Sequence, residues 1–293
     1  MSGKLYLIDG TFELFRCYSV LPSSTAPDGR EVGAIRGLLA STLAWLRESA
    51  PPYVAAATDH IIESFRNRLF AGYKTGDGIP PDLWAQFPLA EEAFESLGIV
   101  VWPMVEFEAD DAIATAAARF AAAVEQVVIL SPDKDLAQCV DGQRVVLHDR
   151  IRRVTYDAAA VRARFGVPPA AIPDYLALVG DRADGFPGLP GWGAKSAAAL
   201  VAAYGCIEKI PDDPRAWSVP ALRSRERLAA TLTAQREDAR LYKTLATLRR
   251  DVPLSERLDD LRWRGVPRAR YEAFCRRLGL RDLVDRPTCW AAE

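Results

Sequence analysis

Two groups of carboxylates in the middle of the chain have the residue types and spacing of a metal site. Glu108, Asp110 and Asp111 begin an alanine-rich run that is predicted to be a helix. Asp133 and Asp135 follow a short apolar run that is predicted to be a buried strand. Acids in the first turn of a helix each gain about 0.3–1 kcal/mol from the helix dipole, which does not explain the second group. A divalent cation explains both groups, although a solvated acidic cap accounts equally well for the first group alone.

Short apolar runs that end close to an aspartate predict the strands that would position these acids. They occupy residues 5–8, 54–58 and 127–130 and are typical of interior parallel strands. Residues 33–48, between the first two runs, have apolar side chains at helical spacing, which gives a strand–helix–strand unit. The carboxyl ends of such strands form the ligand crevice of an open α/β sheet, so four aspartates are predicted to converge there. These are Asp9, Asp59, Asp133 and Asp135. Carboxylates brought together repel, which favours compensating cations.

Composition limits what can surround these acids. The 293 residues are 49% hydrophobic and predict one large domain with a smaller one. No run is long and apolar enough to span a membrane, and the N-terminus does not resemble a signal peptide, so a cytoplasmic protein without a membrane partner is expected. The five cysteines are widely spaced and lack a Cys-x-x-Cys pair, which predicts reduced thiols. The net charge of −2 excludes no class of partner.

The segment from residue 64 to 93 is basic and aromatic. It contains Arg66, Tyr73 and Lys74, followed by a glycine-containing tip at residues 76–78. Beside an acidic crevice, such a segment is typical of a mobile element that grips phosphates. A plain surface loop is the alternative.

The character of the chain changes near residue 165, where prolines mark a predicted domain boundary. A short predicted helix is then followed by Asp181 and Asp184, and by a glycine-rich turn before a second helix. The turn and the helix start contain Gly188, Gly191, Gly193, Lys195 and Ser196. Glycines let backbone N–H groups approach an anion, and the second helix points its N-terminus at it, so the turn predicts a phosphate cradle. A turn in which Trp192 is simply packed is the alternative. The arginines beyond Pro211 are predicted to lie on solvated helix faces.

Taken together, these motifs resemble the 5′-nuclease family, which includes the N-terminal domain of bacterial DNA polymerase I, phage 5′-exonucleases and flap endonucleases. The resemblance extends from about Leu5 to Pro253. It implies an α/β fold with a PIN-like parallel-sheet nuclease core at residues 1–165, including a helical arch at about 63–95. For residues 166–293 it implies a helical C-terminal region with a helix-three-turn-helix DNA-binding element.

The resemblance also implies roles for individual residues. One divalent ion is expected at Asp9, Asp59, Glu108 and Asp110. A second is expected, directly or through water, at Asp111, Asp133, Asp135, Asp181 and Asp184. Lys74 and Arg66 are expected to face the scissile phosphate, and the residues expected to contact DNA are Tyr73, Gly188, Gly191, Gly193, Lys195 and Ser196. The expected ions are Mg²⁺ or Mn²⁺, with K⁺ as a further candidate at the glycine-rich turn.

The implied function is that of a metal-dependent 5′-3′ exonuclease and flap endonuclease, which hydrolyses DNA phosphodiesters near 5′ ends. The expected partners are DNA with 5′ ends, flaps or nicks, and RNA–DNA hybrids, bound by a monomeric enzyme. Departures from the family pattern bear on substrate preference and turnover. Thr11 and Phe12 stand in place of two histidines, Asp77 in place of a basic arch residue, and Gly185 in place of a frequent asparagine.

Two alternatives come from other functional classes. A phosphatase of the haloacid dehalogenase type has a similar Asp-Gly-Thr sequence, but its mechanism needs a second aspartate where Thr11 stands, and it leaves the acids at 108–111 and 133–135 unused. A non-catalytic DNA-structure binder would lose affinity by keeping so many acids beside the phosphates. Both explain the acids less well than a nuclease does.

Overall fold

The computed structural model describes residues 3–219 and 222–292, which form two compact units. The first unit contains the residues up to Ile62, Gly76–Ser131 and the residues from Arg250 onward. The second unit contains Glu63–Thr75 and Pro132–Arg249. The units therefore interleave along the chain, and the segment predicted to be an arch contributes to both.

The described residues form six strands and twelve α-helices. The strands are β1 (Lys4–Asp9), β2 (Tyr53–Asp59), β3 (Val100–Met104), β4 (Gln126–Leu130), β5 (Val145–Asp149) and β6 (Val154–Tyr156). The helices are α1 (Gly10–Val20), α2 (Gly33–Ser49), α3 (Phe65–Leu69), α4 (Pro81–Trp84), α5 (Phe87–Ser96), α6 (Ala109–Phe120), α7 (Ala158–Phe165), α8 (Ile172–Val179), α9 (Ala194–Tyr204), α10 (Arg225–Ala234), α11 (Arg236–Ala246) and α12 (Arg268–Leu278). Within the described ranges, no helix combines the length and apolarity needed to cross a membrane.

Parallel strands in the order β3-β2-β1-β4 form the centre of the first unit. Three of them, β1, β2 and β4, are the predicted apolar runs, and α2 is the predicted helix between the first two, so the predicted parallel α/β core is confirmed. Gly10 lets α1 begin against β2, since a Cβ there would lie 2.7 Å from the Thr58 side chain and 2.9 Å from the Ala57 carbonyl oxygen. Because β1 and β2 run in the same direction, Asp9 and Asp59 end them at the same edge.

The second unit is mainly helical, with an antiparallel pair formed by β5 and β6. Its core is formed around α8, α9 and α11. Lys243 of α11 makes ion pairs with the buried Asp174 of α8 (2.8 Å) and with Glu208 (2.9 Å). The Asp174 carboxylate also accepts a hydrogen bond from the Ile207 backbone N–H (2.8 Å). These contacts join α8 and α11 to the 3-10 turn Ile207–Lys209, which follows α9.

Candidate active site

The carboxylate of Asp9 is held at the end of β1 by two hydrogen bonds. One oxygen accepts from the backbone N–H of Phe12 (2.9 Å), which makes Asp9 the N-cap of α1. The other carboxylate oxygen accepts a hydrogen bond from the hydroxyl of Ser131 (2.7 Å), the residue that directly follows β4. Asp9 is thus buried and fixed in position by two neighbouring strands.

Asp59, at the end of β2, is fixed by contacts with two helices. Its Oδ1 accepts a hydrogen bond from the Ala109 backbone N–H at the start of α6 (2.8 Å). Its own backbone N–H donates to the Thr11 hydroxyl of α1 (2.7 Å). Thr11, one of the departures from the family pattern, therefore positions a predicted metal ligand.

The first acidic group forms the start of α6, as the sequence predicts. Glu108 is the buried N-cap residue, and its backbone carbonyl oxygen accepts a hydrogen bond from the Asp111 backbone N–H (3.0 Å). In return, Asp111 Oδ2 accepts from the Glu108 backbone N–H (3.0 Å), so the two form a reciprocal cap. Asp111 is fully buried and Asp110 is half-buried on the first turn. The cap therefore engages part of this acidic group, while both residues keep further carboxylate oxygens.

A tight cluster in the second unit brings together Asp135, Asp181 and Asp184. One oxygen from each lies within 4.8 Å of the others, and all three residues are buried. Burial raises the pKa of Asp135 well above its usual range, and the charges of the nearby Asp133 and Asp184 raise it further. Asp135 Oδ1 and Asp181 Oδ2 are buried oxygens that accept no hydrogen bond of normal geometry within the described residues, and the ammonium of Lys134 lies beside both. Carboxylate oxygens clustered in this way fit the ligand requirements of Mg²⁺ or Mn²⁺.

Asp133 supports this cluster from the preceding turn. Its Oδ1 accepts a hydrogen bond from the Asp135 backbone N–H (2.8 Å), which orients the 3-10 turn Asp135–Cys139. Burial raises the pKa of Asp133, and Asp184 contributes in the same direction. Among the described residues, the tight cluster consists of Asp135, Asp181 and Asp184 and does not include Asp133. The contact that the structure shows for Asp133 is the one that positions Asp135.

Two lysines supply positive charge to the cluster. Lys74 Nζ lies 3.1 Å from Asp184 Oδ1, and Lys134 Nζ makes an ion pair with Asp181 Oδ2 and lies 3.7 Å from Asp135 Oδ1. Burial by itself lowers the pKa of Lys134. The negative charges of Asp135 and Asp181 have the larger combined effect, so the pKa of Lys134 is raised above its ordinary value. Lys134 is not among the site residues predicted from the sequence, although its place between two candidate ligands is a usable signal.

The backbone of Lys74 is fixed against the same acid. Its N–H donates to the carbonyl oxygen of Asp184 (3.0 Å), and its carbonyl accepts from the Asn67 side chain (2.9 Å). Gly185 allows this approach, because it has φ +85° and a Cβ there would lie 2.2 Å from the Gly72 carbonyl oxygen. This departure from the family pattern therefore lets Lys74 reach Asp184.

Arg66 is fully buried rather than directed at solvent. Its Nε donates to the Leu245 carbonyl oxygen (2.8 Å) and its Nη2 to that of Thr247 (3.2 Å). Tyr73 is also buried, at 3% exposure. These placements do not support the predicted contacts of Arg66 with a phosphate and of Tyr73 with DNA. Both side chains instead anchor the segment that carries Lys74.

We expect Arg66→Ala to lower the free energy of unfolding by about 3 kcal/mol, because it leaves the buried carbonyl of Leu245 and the part-buried carbonyl of Thr247 without their charged donor. Chemical denaturation of the purified protein measures this loss. Arg68→Ala is the matched control, since Arg68 lies exposed on the same short helix and should cost less than about 0.5 kcal/mol. Equal stability of the two variants would contradict the anchoring role.

The glycine-rich turn leads into α9 with Gly193 as the N-cap residue. The Ser196 hydroxyl accepts a hydrogen bond from the Gly193 backbone N–H (3.1 Å) and donates to its carbonyl oxygen (2.9 Å). Gly188 closes the turn on the other side, where a Cβ would lie 2.3 Å from the Gly180 nitrogen. The turn is therefore ordered by its own hydrogen bonds and by close backbone packing.

A groove of about 720 Å³ lies between this turn and the start of α10. Gly191, Gly193 and Lys195 line one side, and Arg223 and Arg227 line the other. The described lining contains three cations and no acid. The sequence analysis had placed these arginines on solvated faces; both are exposed, but they also face the glycine-rich turn.

Comparison with known families gives matches along most of the chain. Residues 4–166 match the family described as 5′-3′ exonuclease, N-terminal resolvase-like domain. Residues 167–269 match the family described as 5′-3′ exonuclease, C-terminal SAM fold. The chain belongs to the 5′-3′ exonuclease family. The membership confirms the family predicted from the motifs and leaves the phosphatase interpretation without support.

Relatives of this 5′-3′ exonuclease family member include polymerases and a shorter protein. DNA polymerase I of Pseudomonas aeruginosa is 35% identical over 97% of this chain and 31% of the polymerase. A 5′-3′ exonuclease of Aquifex aeolicus is 35% identical over 70% of this chain and 71% of that protein. This chain spans about a third of the length of the curated polymerases that it matches.

Solved structures share the fold at lower identity. A zinc-bound T5 5′-exonuclease has a TM-score of 0.66 and 18% identity, covering 83% of this chain and 89% of that one. The catalytic core of Rad2 in complex with a DNA substrate has a TM-score of 0.59 and 14% identity, and the match covers 97% of this chain and 92% of that one. These likenesses confirm the predicted fold class, an α/β core with a helical C-terminal region.

Proposed function

We propose that this chain is a divalent-metal-dependent nuclease that hydrolyses DNA phosphodiesters near 5′ ends, by exonucleolytic trimming and by flap cleavage. The observation that carries the proposal is the buried cluster of Asp135, Asp181 and Asp184, whose carboxylate oxygens lie within 4.8 Å of one another, in a member of the 5′-3′ exonuclease family. Supporting likenesses include a T5 flap endonuclease in a complex with DNA and metal ions. A monomeric state, a cytoplasmic location and action on nicks or RNA–DNA hybrids are parts of the same proposal.

Two sets of residues would hold divalent ions, Mg²⁺ or Mn²⁺. We assign one ion to Asp9, Asp59, Glu108 and Asp110 of the first unit. We assign the other to Asp135, Asp181 and Asp184 of the second unit, with Asp133 acting directly or through water. Divalent ions supply Lewis-acid stabilisation of developing negative charge and activate water for an in-line displacement. K⁺ at the glycine-rich turn remains a proposal supported by the family resemblance.

The protein's own groups are proposed to bind and orient the substrate around these acids. Ser131, Thr11 and the α6 backbone hold the first-unit carboxylates in place, so their oxygens are oriented before DNA arrives. Lys74 supplies a positive charge that opposes the charge developing on the attacked phosphate. Preorganisation of these groups lowers the cost of reaching the transition state.

The groove beside the glycine-rich turn is proposed to bind the phosphate backbone of duplex DNA. Lys195, Arg223 and Arg227 supply the charge, and the N-terminus of α9 adds its dipole. Neutralising phosphates in this way releases counterions, so affinity should fall as salt rises. Phosphate contacts carry no sequence information, which suits an enzyme directed by DNA ends.

We expect Gly193→Val to weaken duplex binding without loss of stability. A Cβ at Gly193 meets no atom within 4 Å, so the new side chain fits the fold but projects where a phosphate would approach. Lys195→Ala and Arg227→Ala should each reduce the salt slope of log K against log[salt] by about one unit. Fluorescence anisotropy in Ca²⁺ measures binding, and thermal unfolding checks stability. Unchanged salt slopes in both charge variants would contradict the proposed groove.

A substrate panel tests the activity itself. A 5′ flap, a nicked duplex and a single strand, each labelled at the 5′ end, are incubated with Mg²⁺, with Mn²⁺ and with excess chelator. The expected result is release of short 5′ products only when a divalent ion is present, with the flap and the nick cleaved faster than the single strand. Full cleavage in excess chelator would overturn the proposal.

A further inference from the structure

Lys134 has an unusual environment for a lysine in a loop. Its ammonium makes an ion pair with Asp181 Oδ2 and lies 3.7 Å from Asp135 Oδ1, and its side chain is only 34% exposed. Those two oxygens are the buried ones that accept no hydrogen bond of normal geometry within the described residues. The ammonium therefore faces the very atoms that a metal ligand set would use.

The position of Lys134 in the chain fixes this arrangement. It precedes the 3-10 turn Asp135–Cys139 directly, so its backbone is tied to one of the acids that it faces. Its other partner, Asp181, is held by the bridge that its backbone N–H makes to the Phe186 carbonyl (2.8 Å). Both acids are thus fixed by backbone contacts, and the lysine side chain is the flexible member of the set.

We propose that Lys134 is a built-in counter-ion of the acidic cluster, which holds Asp135 and Asp181 together in the metal-free protein and competes with a divalent cation for the same oxygens. The inference rests on the proposed metal site of the second unit. A carboxylate oxygen in contact with an ammonium cannot bind a metal in the same direction, so metal binding must move the side chain aside. Its partial exposure gives it a path into solvent.

Competition of this kind has two opposite consequences. In the metal-free protein, removing the ammonium leaves buried carboxylates without their nearest positive charge, so the fold becomes less stable. In the metal-bound protein, the divalent ion compensates these charges and the lysine is no longer needed. A variant without the ammonium should therefore bind metal more tightly and depend on it more strongly for stability.

Lys134→Met tests both consequences, because it keeps the aliphatic stem and removes the charge. Ca²⁺ binding is followed by titration calorimetry without DNA, and thermal unfolding is measured in chelator and in saturating Ca²⁺. We expect a Ca²⁺ dissociation constant at least about tenfold lower than in the wild type. We also expect the midpoint of thermal unfolding to be several degrees lower than that of the wild type in chelator, and close to the wild-type value in saturating Ca²⁺. Should Lys134→Met unfold in chelator, its refolding on addition of Ca²⁺ is the supporting result.

Three control variants separate charge competition from a structural role. Lys134→Arg keeps the charge and should stay close to the wild type in both measurements. Lys209→Met removes an exposed lysine outside the cluster and should change neither. Asp181→Asn should abolish the binding event that Lys134→Met strengthens, which assigns it to this cluster.

The outcomes distinguish this inference from the proposed function. Unchanged or weaker Ca²⁺ binding in Lys134→Met, with normal binding in the wild type, would overturn the counter-ion role and leave the metal site standing. A Lys134→Met protein that stays unfolded even in Ca²⁺ would also overturn it. Absence of any Ca²⁺ binding in the wild type would remove the metal site and this inference together.

Discussion

Asp135→Asn and Asp9→Asn are each expected to lower the single-turnover rate of flap cleavage by about 10³-fold or more. Loss of a bound divalent ion removes several kcal/mol of transition-state stabilisation, and each 1.36 kcal/mol is a factor of ten in rate. The two residues come from the two acidic sets, so similar losses would mean that both sets serve one reaction. The measurement is a rapid-quench time course with enzyme in excess over a 5′-labelled flap.

DNA affinity separates this effect from misfolding. Both variants remove a negative charge, so duplex binding should be unchanged or tighter. Asp149→Asn is a matched control, since Asp149 is equally buried but its carboxylate accepts from the backbone N–H groups of Ile151 and Arg152 (both 2.9 Å) outside the cluster. The control should cleave at nearly the wild-type rate. Rapid cleavage by Asp135→Asn would remove that residue from the metal site.

Lys74→Ala is expected to slow single-turnover cleavage by about 10²–10³-fold, with little change in the DNA dissociation constant measured in Ca²⁺. A positive charge that meets negative charge only as it develops stabilises the transition state more than the ground state. The backbone of Lys74 is held by Asp184 and Asn67, so the loss of the ammonium should leave the chain path unchanged. Lys74→Arg should recover part of the rate.

The ion pair between Lys74 and Asp184 raises a second explanation for a slow variant, namely disturbed metal binding. The dependence of the rate on Mg²⁺ concentration distinguishes the two, because a metal-binding defect is recovered at high Mg²⁺ and a lost catalytic charge is not. Lys195→Ala is the control with the opposite pattern, weaker binding at a normal single-turnover rate. If Lys74→Ala shows that pattern too, Lys74 is a positioning contact only.

Patterns between near neighbours in the sequence determined the core of the first unit. The apolar runs before Asp9 and Asp59 became adjacent parallel strands, because a strand buried on both faces needs a continuous apolar run. The acids Glu108 and Asp111 begin α6, since a carboxylate satisfies free N–H groups at a helix start. Each of these features depends on residues a few positions apart, which a sequence displays directly.

Contacts between distant residues were decided only by the tertiary structure. The family resemblance implied that Arg66 faces a phosphate, yet it donates to the carbonyl oxygen of Leu245, which lies 179 residues away. Arg227 was predicted to be merely solvated, yet it lies across a groove from Gly193. The sequence displays a charge but not the acceptor that the fold brings to it, and the acceptor decides whether burial is tolerated.

The acidic cluster combines both kinds of information. The position of Asp135 after a predicted strand was enough to predict a metal ligand, whereas the family resemblance implied that role for Asp181 and Asp184. Their approach to within 4.8 Å required the fold, which also placed the ammonium of Lys134 against the same oxygens. The sequence thus determined which groups could bind a cation, and the tertiary structure decided which charge compensates them in its absence, because electrostatic energy depends on distances that close only when the chain folds.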